Sequence, residues 1–406
     1  MKQFFITLFL SVSFLTYARQ VSDSISIGPS DNVANLVLSA SDYATWIGND
    51  GFQRSTLPQT ITNKLYSYFK DDFDVIMLIS NEDTLASTIP YYGINRPISN
   101  SVQGIGMSIF SSASAFGSDG RLFSLMHLPY VDAIKYGPTL HEFCHCWANY
   151  GIPTAVAGHW GFCGGNSKGQ LGGFKQSTLM TNVDGIANKY SVETFGVNAN
   201  GGNGVPYNEM ELYLMGMLPI DSVHEFDAFP VVPPASFQYY GNDQTRVCFT
   251  SDTRIHYTQA TIIDSLGVRV PSFQNSPKLF KALFVVLSRQ PLTAAEWSKS
   301  EEGVSWFCLP GNDGINWLYN FWEATRGIGS IDPSNLSASL KNRTDLRTID
   351  QGDEVEIHTL PATIICPVAF RIFSITGHDL TNLNGSLPTG MYIVKTDKAA
   401  RKVWVK

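Results

Sequence analysis

The segment His141-Glu-Phe-Cys-His145 holds the residue types that hydrolytic metal chemistry needs. On a helix, side chains four apart lie one turn apart on the same face, so His141 and His145 can offer two imidazoles to a single ion. Glu142 falls one step round the axis, where its carboxylate can reach a water beside the ion without ligating it. Two histidines, a third protein ligand and one open position make a catalytic Zn2+ site. Such an ion brings the pKa of water toward neutrality, and the glutamate is then the general base for attack on a carbonyl. The flanking residues predict the helix that this chemistry requires. Gly137-Pro138 marks its start, Leu140, Phe143, Cys144 and Trp147 give it an apolar side, and Gly151 with Pro153 ends it, which puts both histidines in mid-helix.

The third ligand must come from elsewhere in the chain. In metzincin peptidases a histidine stands six residues after the second one of the motif, and that position here is Gly151. His159 is the first candidate, because it sits in a glycine-rich stretch, 155–174, able to fold back on the helix end. Glu211 is the alternative, on a helical segment Asn208–Met217 that also carries Glu209, as in the thermolysin-like arrangement. Glu211 also has an indirect reading, as a carboxylate that orients a zinc histidine. A group that stabilises charge on the carbonyl oxygen is needed as well. Tyr207, Tyr239, Tyr240, His224, Arg254 and His256 follow the motif, and spacing selects none of them.

The chain has 406 residues, 44% hydrophobic and only 16% charged, which describes a folded protein of two or three domains rather than a disordered one. A net charge of −7 without a long basic run argues against nucleic acid as a partner. Met1-Lys2-Gln3 followed by an apolar stretch to Ala18 reads as a signal peptide over 1–18, too short for a stable membrane span. Export allows disulfides, and Cys144, Cys146, Cys163, Cys248, Cys308 and Cys366 are expected to form one to three. The spacing of Cys144 and Cys146 suits a disulfide or buried thiols better than zinc ligands.

Elements to hold the motif follow from periodicity. Strands are expected at 32–39, 74–80, 104–110 and 122–128, and an amphipathic helix over Leu57–Phe69. The run Phe280–Ser288 reads as a strand or a buried helix, Trp306–Arg326 as helix, and 155–174 as loop. A Ser/Asn/Pro/Asp-rich linker spans 336–349, and beyond it alternating patterns at 354–358, 370–376, 391–395 and 402–406 predict a small antiparallel sandwich.

The C-terminal residues Phe370-Arg-Ile-Phe-Ser-Ile-Thr-Gly377 and Leu387-Pro-Thr-Gly-Met-Tyr-Ile-Val-Lys395, with the basic close to Lys406, resemble the sorting domain of the type IX secretion system of Bacteroidota. The resemblance implies a passenger handed to that machinery and delivered outside the cell or onto its surface. The middle of the chain resembles a family of secreted bacterial proteins with a zinc-peptidase signature. It does so through Gly137–Trp147, Gly158-His-Trp-Gly161 and Glu211–Gly216. Strand, helix, further strands and then the HExxH helix is also the order in the upper lobe of zincin peptidases, whose edge strand holds extended substrate. The resulting expectation is an α+β chain: a zincin-like metallopeptidase domain over 25–335, then the sandwich over 350–406. His141, His145 and His159 would hold Zn2+, Glu142 would be the base, and a protein or peptide would be the substrate. The rival expectation is a non-catalytic extracellular binding protein on a peptidase-like fold.

Overall fold

The computed structural model describes residues 18–22, 24–152, 156–242, 244–341, 358–360, 362–365, 369–374, 378–396 and 400–405. Most of the expected signal peptide, much of the expected linker and Cys366 lie outside them. The chain is mixed α+β and divides into two units, 1–341 and 342–406, with the division inside the expected linker.

The first unit is built on a mixed sheet ordered Arg19–Gln20, Ile25–Ile27, Ala34–Val37, Leu279–Ser288, Val75–Ser80, Ser124–Leu128, Ile94–Pro97. The four strands from Ala34–Val37 to Ser124–Leu128 run parallel, and Ile94–Pro97 closes the edge antiparallel to Ser124–Leu128. The run 279–288 is therefore strand, hydrogen-bonded on both sides to parallel neighbours. Its continuous apolar character follows from the burial of both sheet faces. Ala282, Phe284 and Val286 enter one core together with Val75, Met77 and Ile79. Leu283, Val285 and Leu287 enter the other with Ile76 and Leu78. The second core also takes Tyr43 and Trp46 of helix Ala40–Gly48 and Ile61 and Leu65 of helix Leu57–Tyr68. The first core takes Leu140, Phe143, Cys144, Cys146 and Trp147, so the histidine motif is fixed to the sheet by its apolar side.

Several expectations fail locally. Segment 104–109 is not a strand, and only Phe110 of the expected one pairs, with Asn100: Gly104 and Gly106 have φ of 72° and 75°, and the chain turns there, beside the pair Gln103 and Val270. The glycine-rich stretch is only partly loop, since Gly161–Gly165 and Gly172–Lys175 pair in parallel and the former joins Phe226–Ala228. Trp306–Arg326 is not one helix. Helix Ala294–Phe307 ends at Cys308, and a single turn, Phe321–Ala324, follows later with its own Asn320 capping box. Cys144, Cys146, Cys163, Cys248 and Cys308 are buried free thiols, so no disulfide forms among the five that are described.

In the second unit a hairpin, His358–Leu360 with Thr363–Ile365, accompanies the antiparallel sheet Phe370–Ser374, Gly390–Thr396, Ala400–Val405. Ile364, Ile372, Leu387, Tyr392, Val394 and Val405 form its core.

Candidate metal centre

The helix carrying the motif is shorter than its pattern predicts. It spans Thr139–Cys144, with His145 at the C-terminal cap in helical geometry (φ −60°, ψ −12°) and Cys146 and Trp147 in tighter turns. Because His145 N–H still bonds to His141 O, the one-turn relation between the two side chains survives. No local side chain caps the N-terminus. That task falls to Asn203, fully buried, whose Oδ1 accepts from Leu140 N–H at 3.0 Å while its Nδ2 donates to Ile134 O. An orphan helix N–H is thus satisfied from 63 residues away.

His141, His145 and His159 come together, with one ligand-type nitrogen of each lying within 4.8 Å of the others. Each imidazole has its Nδ1 engaged: His141 with Gln170 O at 2.8 Å, His145 with Asn149 Oδ1, and His159 with Ala157 O at 2.9 Å. Backbone carbonyls only accept, so Nδ1 of His141 and of His159 carries the proton and Nε2 presents a lone pair. The Nε2 atoms of His141 and His145 are 3.1 Å apart. Two nitrogen ligands of one tetrahedral zinc stand about 3.3 Å apart, given Zn–N bonds of about 2.0–2.1 Å. Burial holds the imidazolium of His141 down at about 4 and that of His145 at about 3, the neutral form that ligation requires. This donor set fits a zinc-like ion.

Glu211 has a different place. Its carboxylate is wholly buried and accepts four N–H groups: Trp160 Nε1 at 2.7 Å and Leu171 N at 2.8 Å on Oε1, Asn208 N at 2.9 Å and Gln170 N at 3.0 Å on Oε2. Burial raises its carboxyl, against the pull of these donors. Four donors and no facing acceptor match the ionised form, whose lone pairs they saturate. With its lone pairs so engaged, Glu211 is placed as the sequence's second reading had it, behind the histidines rather than among them. Gln170 supplies the carbonyl that orients His141, Trp160 adjoins His159, and Glu211 holds both. Gly169 permits the close approach, since a Cβ there would lie 2.6 Å from Glu211 Oε1. Glu209, beside it, instead binds His224 at 2.7 Å.

Glu142 is buried, yet it lines a cleft of about 700 Å³ together with the three histidines, Asn95, Tyr91, Tyr92, Asn149 and Tyr150. Burial pushes its carboxyl up to about 8, opposed by the Asn95 backbone N–H. Asn95 also donates its side-chain amide to Glu142 O at 2.7 Å, tying the edge strand Ile94–Pro97 to the motif. Gly93 packs directly on the glutamate: a Cβ there would stand 2.8 Å from Glu142 Cγ and 2.7 Å from Pro138 Cγ.

None of the six groups suggested for the carbonyl oxygen lines the cleft. Tyr207 is buried and donates to Leu140 O, Tyr240 binds Asp184, His224 binds Glu209, and Arg254 and His256 share Asp227. Sequence reasoning also missed Gln170, Asn149, Asn95, Asn203 and Gly93. All but Asn149 act across long sequence separations, and only Asn149, four residues after His145, carried a readable helical spacing. Among the described residues no helix is long and apolar enough to cross a membrane. No family model, curated protein or solved structure matches the chain.

Proposed function

We propose that the protein is a zinc-dependent hydrolase acting on peptide bonds, a secreted metallopeptidase with a zincin-like catalytic domain. The observation that carries the reading is the convergence of three Nδ1-anchored imidazoles beside a glutamate at a cleft. Zinc bound there would lower the pKa of water and polarise the scissile carbonyl. Glu142 accepts the proton of the attacking water and returns it to the leaving amine. The packing of Gly93 seats that side chain, and the Asn95 side-chain amide holds the backbone carbonyl of Glu142. Among the described residues the edge strand Ile94–Pro97 pairs with Ser124–Leu128 alone, and it contributes Ile94 and Asn95 to the cleft wall. Its free edge suits an extended substrate chain, bound by backbone hydrogen bonds. The apolar N-terminus and the C-terminal unit fit an exported passenger of the type IX machinery.

The test compares zinc content and hydrolysis of an unbiased peptide library for the mature protein and Glu142→Gln. Both are expected to hold about one zinc, with the variant slower by roughly 10²-fold or more. Wild-type protein that takes up no zinc after reconstitution refutes the metal centre. Zinc without peptide cleavage refutes the peptidase and turns the same chemistry toward other amides and esters.

A further inference from the structure

A second cavity, about 310 Å³, is lined by Cys146 and Trp147 immediately after His145, and by Phe123, Met215, Phe280 and Arg269. Its walls are mostly apolar, and its cation is unusual. Arg269 is only 5% exposed. Nε donates to Leu214 O at 3.0 Å, and Nη1 to Pro271 O and Ser276 Oγ. Leu214 closes the helix Glu209–Leu214, so a structural role at a helix C-terminus accounts for part of this arrangement. It does not account for the rest. Nη2 has no acceptor among the described residues, and no carboxylate there pairs with the guanidinium, which burial lowers to about 10. Lys278, partly exposed, bonds nearby to the carbonyls of Gly216 and Phe273 and lies over the Phe273 ring. The buried guanidinium of Arg269, answered by neutral oxygens alone among the described residues, leaves positive charge at the wall of a mostly apolar cavity.

We propose that this cavity is a ligand site for an aliphatic carboxylate, its headgroup on Arg269 and its chain against Trp147, Phe123 and Phe280. At the roughly 30 Å³ that a water occupies, the volume holds on the order of ten non-hydrogen atoms, the size of octanoate. The inference does not depend on the hydrolase reading, since neither Arg269 nor the cavity walls include a histidine of the metal centre.

Calorimetric titration of the full mature chain tests it, with octanoate and octan-1-ol as probes, both zinc-loaded and after chelation. Octanoate is expected to bind equally in both forms, and the alcohol about 10-fold or more weaker, as a charge-assisted hydrogen bond implies. Arg269→Met should weaken octanoate by about 10- to 100-fold and leave the alcohol unchanged. Should that variant fail to fold, Val102→Trp, which fills the cavity while keeping Arg269, should abolish binding of both probes. Equal affinity for acid and alcohol, octanoate binding only to the zinc-loaded form, no octanoate binding at millimolar concentration, or binding unaffected by Val102→Trp each overturns the site.

Discussion

Replacing Glu211 by glutamine tests whether the proposed metal centre is held from behind. The substitution keeps shape and burial but turns one carboxylate oxygen into an NH2 group, which donates where it must accept. Each oxygen receives two N–H groups, so either orientation of the amide strands two buried donors: Trp160 with Leu171, or Gln170 with Asn208. At about 1–3 kcal/mol for each unsatisfied donor, the loss is about 2–6 kcal/mol. Either orientation also loosens one histidine, through Trp160 beside His159 or through Gln170 O on His141. Loss of such an outer partner costs about 10- to 100-fold in metal affinity. Competition against a chromophoric zinc chelator measures the affinity, and urea unfolding of the metal-free protein measures stability. Unchanged zinc affinity with unchanged stability would sink the positioning role. A cobalt-substituted variant whose visible spectrum shows a lost protein ligand would make Glu211 a direct ligand instead.

Two further outcomes follow from the geometry. Gly93→Ala drives a methyl into Glu142 Cγ at 2.8 Å, short of the ordinary carbon contact of about 3.5–4.0 Å, so the glutamate must move by roughly 1 Å. Zinc content should stay at wild-type level while kcat falls by about 10²-fold, and full activity would show that Glu142 does not need this seat. His127 is buried among Trp46, Ser80 and Tyr91, and burial lowers its pKa to about 3. It stays neutral while the unfolded chain, at about 6.5, takes up a proton. Its contribution is therefore complete above pH 6.5 and is lost as the pH falls from there toward 3, at about 1.4 kcal/mol per unit. The metal-free His127→Gln protein should show a shallower dependence of stability on pH between 4 and 6, by about one proton. An identical slope in the two proteins would remove His127 from the account.

The parts of the site readable in sequence are those that one turn of helix can fix. His141, Glu142 and His145 needed only their spacing, because the helix repeat puts four-apart side chains on one face whatever the rest of the chain does. The apolar run 75–80 needed only its composition, since a strand buried on both faces has no polar side to show. The run 279–288 stayed ambiguous until hydrogen-bonding neighbours on both sides made it a strand. Helix length was misread for a related reason: the apolar pattern continues to Trp147, but the backbone tightens at His145 as the chain turns toward Asn149. His159 and Glu211 were both open as third ligand, because a local pattern cannot say which of two distant residues the chain brings back. Tertiary structure sets their surroundings by placing Gln170 and Leu171 over the helix that starts after Asn208, where their N–H groups occupy the lone pairs of Glu211. His159, on the other limb of that glycine-rich stretch, is left to face His141 and His145. A saturated carboxylate has nothing left for a metal, whereas an imidazole anchored through Nδ1 keeps Nε2 free, and only the folded backbone settles which residue is in which condition.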